Sequence, residues 1–125
     1  MTGGARILVV EDDETLRETL GEVIAEDGYD VRMASDGQQA LAEMARWDPD
    51  IVVLDLMMPN MNAFELRRAQ RRNGAAAGAQ VLVLSAVPDL ESAAVDLGAD
   101  AWLAKPFRLD ELVAVLDDLV DRRRA

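Results

Sequence analysis

Charged and hydroxyl side chains stand at the ends of four apolar segments of this 125-residue chain. Glu11 and Asp12 follow the first segment, Asp55 the second, Ser85 the third and Lys105 the fourth. Lys105 is the only lysine among 13 basic residues. An ammonium is a compact point charge that suits a single phosphate or carboxylate oxygen. Each residue alone could be a helix cap or a turn residue, but their common position indicates a shared site.

These side chains come together if the apolar segments are parallel strands, because ligand sites in open parallel sheets form at the carboxyl ends of the strands. Glu11, Asp12 and Asp55 would then repel one another in a lowered dielectric, and a divalent cation would relieve that repulsion. Oxygen-only ligands favour Mg²⁺. With Lys105 and the Ser85 hydroxyl on opposite flanks, the set predicts a phosphoryl site in which Asp55 is the nucleophile.

The composition excludes several kinds of chemistry. The chain has no cysteine and no histidine, which rules out disulfides, thiolate zinc sites, serine–histidine hydrolysis and a phosphohistidine on this chain. The net charge of -11 argues against direct binding to nucleic acid or to an anionic membrane, since both need a basic surface. The N-terminus lacks a signal-peptide pattern and no apolar run has the length of a bilayer span, so we expect a cytoplasmic protein.

Four continuous apolar segments precede these residues. They predict strands that are covered on both faces of a parallel sheet. They are residues 7–10, 51–54, 81–84 and the weaker 101–104. A fifth segment, residues 29–34, alternates between apolar and polar side chains. This alternation is typical of an edge strand with one solvent-facing side.

Helical periodicity lies between the strands, and cap residues predict where the helices begin and end. The predicted caps are Asp13 and Gly28 for the first helix, Ser35 or Asp36 for the second, Asn62 with Glu65 and then Gly74 for the third, and Gly98 for the fourth. Five alternations of strand and helix predict a three-layer α/β sandwich with right-handed crossovers. We expect one domain over residues 1–125, with flexible ends at 1–5 and 122–125.

Four stretches of the chain resemble the receiver domains of bacterial two-component response regulators. They are residues 7–13 (ILVVEDD), 53–59 (VLDLMMP), 84–86 (LSA) and 98–107 (GADAWLAKPF), and their order and spacing span the whole chain. The combination is highly specific, although the acidic triplet or the Lys-Pro pair alone would be weak. The resemblance implies a flavodoxin-like fold with five helices and a five-stranded parallel sheet of order 2-1-3-4-5.

The resemblance also implies how the acidic residues act. Asp55 would take a phosphoryl group from a sensor histidine kinase or a histidine phosphotransfer protein. Asp12 and Asp55 would bind Mg²⁺ directly, and Glu11 would act mostly through water. Met57 would contribute its backbone carbonyl to the metal, so its side chain would be free to vary.

A conformational switch driven by the phosphoryl group is implied as well. Ser85 and Lys105 would each contact a phosphate oxygen, and the bond between Lys105 and Pro106 would be cis. Movement of Ser85 would let Trp102 turn inward, changing the face formed by the fourth helix, the fifth strand and the fifth helix. That face would act on a downstream protein target or on an effector domain outside this chain.

Several positions depart from the commonest receiver pattern. Trp102 replaces the usual tyrosine or phenylalanine, and Ala63 stands where glycine is usual, so we expect no positive φ there. The segment between residues 85 and 98 is roughly two residues short, which predicts a trimmed fourth helix. Met57 and Val87 are apolar and cannot orient an attacking water, which predicts slow self-dephosphorylation. The fifth helix lacks a mid-helix arginine, so the oligomeric state stays open.

Two other functions remain open from the sequence. A degenerate receiver would only bind proteins, and the intact acidic residues, serine and lysine argue against it. A Mg²⁺-dependent phosphatase with Asp55 as nucleophile would usually have a second carboxylate two residues later, where this chain has Met57. We therefore expect a phosphoacceptor signalling domain rather than an enzyme.

Overall fold

Within the described residues, 4–58 and 61–124, five strands alternate with five helices in this computed structural model. The strands are β1 (Arg6–Val10), β2 (Asp30–Ala34), β3 (Ile51–Asp55), β4 (Gln80–Ser85) and β5 (Ala101–Ala104). The helices are α1 (Glu14–Glu26), α2 (Gly37–Trp47), α3 (Ala63–Asn73), α4 (Leu90–Leu97) and α5 (Leu109–Arg124). All strand pairs are parallel, and the order β2-β1-β3-β4-β5 confirms the predicted topology.

The sheet is the middle of three layers, because successive side chains of each central strand point to opposite faces. Leu8 and Val52 pack on the side that holds α2, α3 and α4. Ile7 and Val53 pack on the side that holds α1 and α5. The continuous apolar runs therefore supply two cores at once, and the predicted sandwich is confirmed.

The two edges of the sheet differ from the buried centre. Strand β2 lies at one edge beside β1, as its alternating pattern predicted. Strand β5 lies at the other edge, where Ala101, Trp102 and Leu103 are half-buried and Ala104 is exposed. Trp102 nevertheless packs against one core and Ala101 and Leu103 against the other, so the prediction of a strand covered on both faces is confirmed for β5 with partial burial.

Side-chain caps place the ends of most helices where the sequence predicted them. Asp13 caps α1, and Asp36 rather than Ser35 caps α2. Asn62 and Glu65 form the predicted capping box of α3, and Ala63 is its first helical residue without a positive φ. Glycines with positive φ stand at the three predicted ends, Gly28, Gly74 and Gly98. Helix α4 has only eight residues and no side-chain cap at Asp89.

The structure describes only part of the two chain ends that were predicted to be flexible. Residues 1–3 and 125, like Pro59 and Asn60 of the β3–α3 connection, lie outside the described residues, and flexible ends stay a prediction. At the end of α5, Arg123 donates to the backbone carbonyls of Asp50 at 3.1 Å and Gly78 at 2.9 Å. A membrane-crossing helix is not found among the residues that the structure describes.

Candidate functional site

The predicted site residues meet at the carboxyl edge of the sheet. Glu11 directly follows β1, Asp55 ends β3, Ser85 ends β4, and Lys105 directly follows β5. Because these four strands are parallel neighbours, their carboxyl ends open on one crevice. Burial is deep, with Glu11 and Ser85 each 2% exposed and Asp55 8% exposed. Such polar groups stay buried only when they have partners.

Lys105 joins the two buried acids. Its Nζ lies 3.1 Å from Glu11 Oε1 and 3.1 Å from Asp55 Oδ2. The lysine side chain is 24% exposed, and its ammonium makes both of these contacts. Lys105 is therefore an ion-paired residue and not a freely solvated lysine at a strand end. An ammonium with three donors can hold two separate carboxylates in this way.

Asp12 completes an acidic cluster with these two residues. Glu11, Asp12 and Asp55 each offer a carboxylate oxygen, and the three oxygens lie within 4.8 Å of one another. Asp12 is exposed at the mouth of the crevice, while the other two are buried. Three carboxylate ligands without nitrogen or sulfur are the donor set of a hard divalent cation such as Mg²⁺. The residues present therefore fit the predicted metal.

Burial and charge shift the proton equilibria of this cluster. Burial raises the pKa of the Glu11 carboxyl, and the charge of Asp55 adds to that effect; the Asp13 backbone N–H and Lys105 offset it in part. For Lys105, burial alone would lower the pKa, but its hydrogen bond to Glu11 and the charge of Asp55 outweigh burial and raise it. The ammonium therefore stays charged at neutral pH.

Backbone donors two residues downstream orient three of the side chains. The Met57 N–H donates to Asp55 Oδ1 at 3.2 Å, and the Asp13 N–H donates to Glu11 Oε2 at 3.1 Å. The Val87 N–H donates to Ser85 Oγ at 3.3 Å. Because Oγ accepts that bond, the Ser85 hydroxyl proton is free to donate into the crevice.

A cavity of about 430 Å³ opens beside Asp55. It is lined by Asp55, Met57, Ser85, Ala86, Val87, Pro88 and Lys105. Two charged groups and one hydroxyl thus face a wall that is otherwise apolar. The Lys105–Pro106 bond beside it is cis, as the resemblance implied. Met57 contacts Asp55 through its N–H, and the predicted role of its carbonyl stays a prediction.

Trp102 is not part of the acidic cluster. It stands on β5 opposite Val83 of β4, half-buried against the core on the side of α2, α3 and α4. Its predicted role as a switch residue requires transmission from Ser85 through the loop between β4 and α4. That role stays a prediction.

Arg17 is a site residue that the sequence did not reveal. Its Nη1 donates to the backbone carbonyl of Glu11 at 2.9 Å and to that of Asp12 at 3.3 Å. The guanidinium therefore braces the turn that presents both acids. An arginine in the second turn of the helix after an acidic pair was the available signal, but it also fits an ordinary exposed helix position.

The fold and this crevice define a receiver domain. The family model for the response regulator receiver domain matches residues 7–117, so the chain belongs to that family. Response regulator MprA of Mycobacterium leprae is 41% identical over 121 residues, which are 95% of this chain and 52% of the relative. Response regulator MprA of Mycolicibacterium vanbaalenii is 43% identical over 119 residues, which are 94% of this chain and 51% of the relative. The chain thus spans about half the length of these curated relatives.

Solved structures show the same fold. The receiver domain of the Francisella response regulator 1452 superposes with a TM-score of 0.85 at 30% identity, covering 96% of this chain and 99% of that one. The chemotaxis protein CheY4 of Vibrio cholerae gives a TM-score of 0.83 at 30% identity, covering 92% of this chain and 98% of that one. The chain is therefore a receiver domain of the response-regulator type.

Proposed function

We propose that this chain accepts a phosphoryl group on a carboxylate oxygen of Asp55 from a phosphohistidine of a sensor histidine kinase or histidine phosphotransfer protein. The observation that carries the proposal is the ammonium of Lys105, held at 3.1 Å from both Glu11 and Asp55. In the transfer, the P–N bond of phosphohistidine breaks, a P–O bond to Asp55 forms, and the leaving imidazole takes a proton. Catalysis of such a transfer rests on positioning and charge neutralisation.

Each residue of the crevice has a part in that step. The Asp55 oxygen that attacks phosphorus is oriented by the Met57 N–H at its neighbouring oxygen. Lys105 neutralises one oxygen of the incoming group, and the Ser85 hydroxyl donates to another. Glu11, Asp12 and Asp55, with the Met57 carbonyl, would hold Mg²⁺, which when bound supplies charge neutralisation at the transferred group.

The chain acts as an acceptor rather than as a turnover enzyme. Net hydrolysis would need a side chain that activates water, and the residue two positions after Asp55 is Met57. The phosphoryl group is therefore stored, and the α4–β5–α5 face, with Ser85 and Trp102 as its switch residues, carries the signal to a downstream target or an effector domain. We place this exchange in the cytoplasm.

Intact-mass spectrometry after incubation with a small acyl phosphate tests the proposal. We expect one phosphoryl adduct that needs Mg²⁺ and is absent in Asp55→Asn. Asp36→Asn is the matched control. It makes the same change from carboxylate to amide, but at the N-cap of α2 outside the crevice. An adduct that persists in Asp55→Asn would refute the assignment, and continuous phosphate release would indicate a phosphatase.

A further inference from the structure

Met57 has an unusual position for an apolar side chain. It is 63% exposed, the highest value among the exposed large hydrophobic residues of the described part of the chain. It also lines the cavity that holds Asp55, Ser85 and Lys105. A largely exposed methionine thus lines the same cavity as the proposed acceptor Asp55.

The composition makes this thioether the expected target of an oxidant. The chain has six methionines and no cysteine, so thioethers are its only sulfur groups. Met44 and Met58 are buried at 1% and 9% exposure. Met33 is 46% exposed, but its sulfur packs over Gly21, where an added Cβ would lie only 2.8 Å away. The sulfur of half-buried Met61 packs over Gly37 in the same way.

We propose that Met57 is a redox modification site, at which a hydroperoxide converts the thioether to a sulfoxide and thereby shortens the lifetime of the phosphoryl group on Asp55. The thioether sulfur gives two electrons to hydrogen peroxide. The O–O bond breaks, one oxygen forms the S=O group, and the other leaves as water. Methionine sulfoxide is reversible by reductases, so the change can act as a switch.

The expected consequence follows from the walls of the cavity. Besides Met57, the cavity is lined by Ala86, Val87 and Pro88, which offer no side-chain acceptor for water, and by Ser85 and Lys105, whose polar groups are assigned to the phosphoryl oxygens. A sulfoxide oxygen accepts hydrogen bonds, so it can orient a water molecule toward phosphorus from the position where the reduced side chain cannot. This inference rests on the proposed phosphoacceptor function, since it concerns the stability of the product formed there.

The first measurement is the order in which methionines oxidise. Folded protein is treated with hydrogen peroxide, and peptide mapping follows each sulfoxide with time. We expect Met57 to react first, ahead of Met33 and well ahead of Met44. Another described methionine reacting before Met57 would overturn the inference.

The second measurement is the decay of the phosphoryl adduct before and after peroxide, with each variant compared with itself. We expect oxidation to shorten the lifetime of the adduct about tenfold in the wild type. This is a smaller rate increase than a positioned general base gives, because a sulfoxide only orients the water. Peroxide should shorten the lifetime by the same factor in Met33→Leu. In Met57→Leu, the lifetime after peroxide should equal the lifetime before it. A methionine sulfoxide reductase should restore the longer lifetime.

The outcomes distinguish failure of this inference from failure of the proposed phosphoacceptor function. If untreated protein forms no adduct, the proposed function fails and the inference fails with it. If the adduct forms normally but its lifetime is unchanged or lengthened by oxidation of Met57, only the inference fails. Equal shortening in Met57→Leu would assign the effect to another side chain and would also refute it.

Discussion

At the scale of single residues, Lys105 determines how two buried carboxyl groups share the crevice. Glu11 and Asp55 come from different strands and would repel each other if both were ionised. The ammonium that contacts both of them turns this repulsion into a paired arrangement. A divalent cation bound between Asp12, Glu11 and Asp55 would neutralise part of the same negative charge.

Replacing Lys105 by methionine should destabilise the fold while keeping most of the side-chain volume. We expect the free energy of unfolding without Mg²⁺ to fall by about 1–3 kcal/mol, because two buried carboxyl groups lose a hydrogen-bonding partner. Urea denaturation with and without Mg²⁺ measures this, and the loss should shrink when the metal is added. The control is Arg108→Met, which removes an exposed ion pair with Asp110. An equal loss in both variants would contradict the role given to Lys105.

Arg17 acts on the metal site through the backbone rather than by contact with the ligand atoms. Arg17 donates hydrogen bonds to the backbone carbonyls of Glu11 and Asp12. Loss of these bonds would leave the turn that carries both acids less well fixed. Arg17→Gln should therefore weaken Mg²⁺ binding about tenfold, the lower end of the effect of removing groups that orient metal ligands. Isothermal titration calorimetry checks this, with Arg46→Gln as the control for loss of a helical arginine. Unchanged affinity would show that the turn holds its shape unaided.

At the scale of secondary-structure elements, the end of α1 meets α5 through acidic groups. The Tyr29 hydroxyl donates to Asp117 of α5, and Asp27, the C-terminal cap of α1, shares a hydrogen bond with the same carboxylate. That hydrogen bond raises the pKa of Asp27, with burial and the charge of Asp117 adding to it. Burial, Asp117 and the nearby Asp121 also raise the pKa of Tyr29. The contact between the two helices is therefore sensitive to pH.

The sign of this pH dependence is set by Asp27. Because its pKa in the folded state is raised above 3.8, protonated Asp27 contributes stability that is fully present below that value and is lost as the pH rises through the raised pKa. Asp27→Asn should keep a donor toward Asp117 at every pH and remove a negative charge from the end of α1. We expect it to match the wild type in acid and to be more stable at neutral pH by about 0.5 kcal/mol, since the site is near the surface.

Urea denaturation across the acid range measures the difference between the two proteins. The advantage of Asp27→Asn should grow as the pH rises. Asp30→Asn, an exposed carboxylate on the edge strand β2, controls for the general loss of negative charge. A constant difference between Asp27→Asn and the wild type would mean that Asp27 has no raised pKa.

At the scale of the whole molecule, local signals and distant contacts differed in how well the sequence predicted them. Strand order, caps and the meeting of Glu11, Asp55 and Lys105 followed from apolar runs, cap residues and the resemblance to receivers. Other contacts between residues far apart in the chain left no local pattern. Arg123 reaches Asp50 across 73 positions, and nothing in its surroundings in the sequence distinguishes it from an exposed helix-terminal cation. The edge position of β5 followed from the strand order that the resemblance implied and not from its own residues, which are as apolar as those of a central strand.

The net charge of -11 sets the last expectation, because an acidic chain repels itself and any cation will relieve part of that repulsion. A specific Mg²⁺ site should stabilise the folded protein beyond this screening, by about 1.4 kcal/mol at ten times the dissociation constant. Thermal unfolding in MgCl₂ should therefore show a higher midpoint than in NaCl of equal ionic strength. Asp12→Asn should abolish that excess, whereas Asp30→Asn should keep it. Equal midpoints in the two salts would mean that the acidic cluster holds no specific cation.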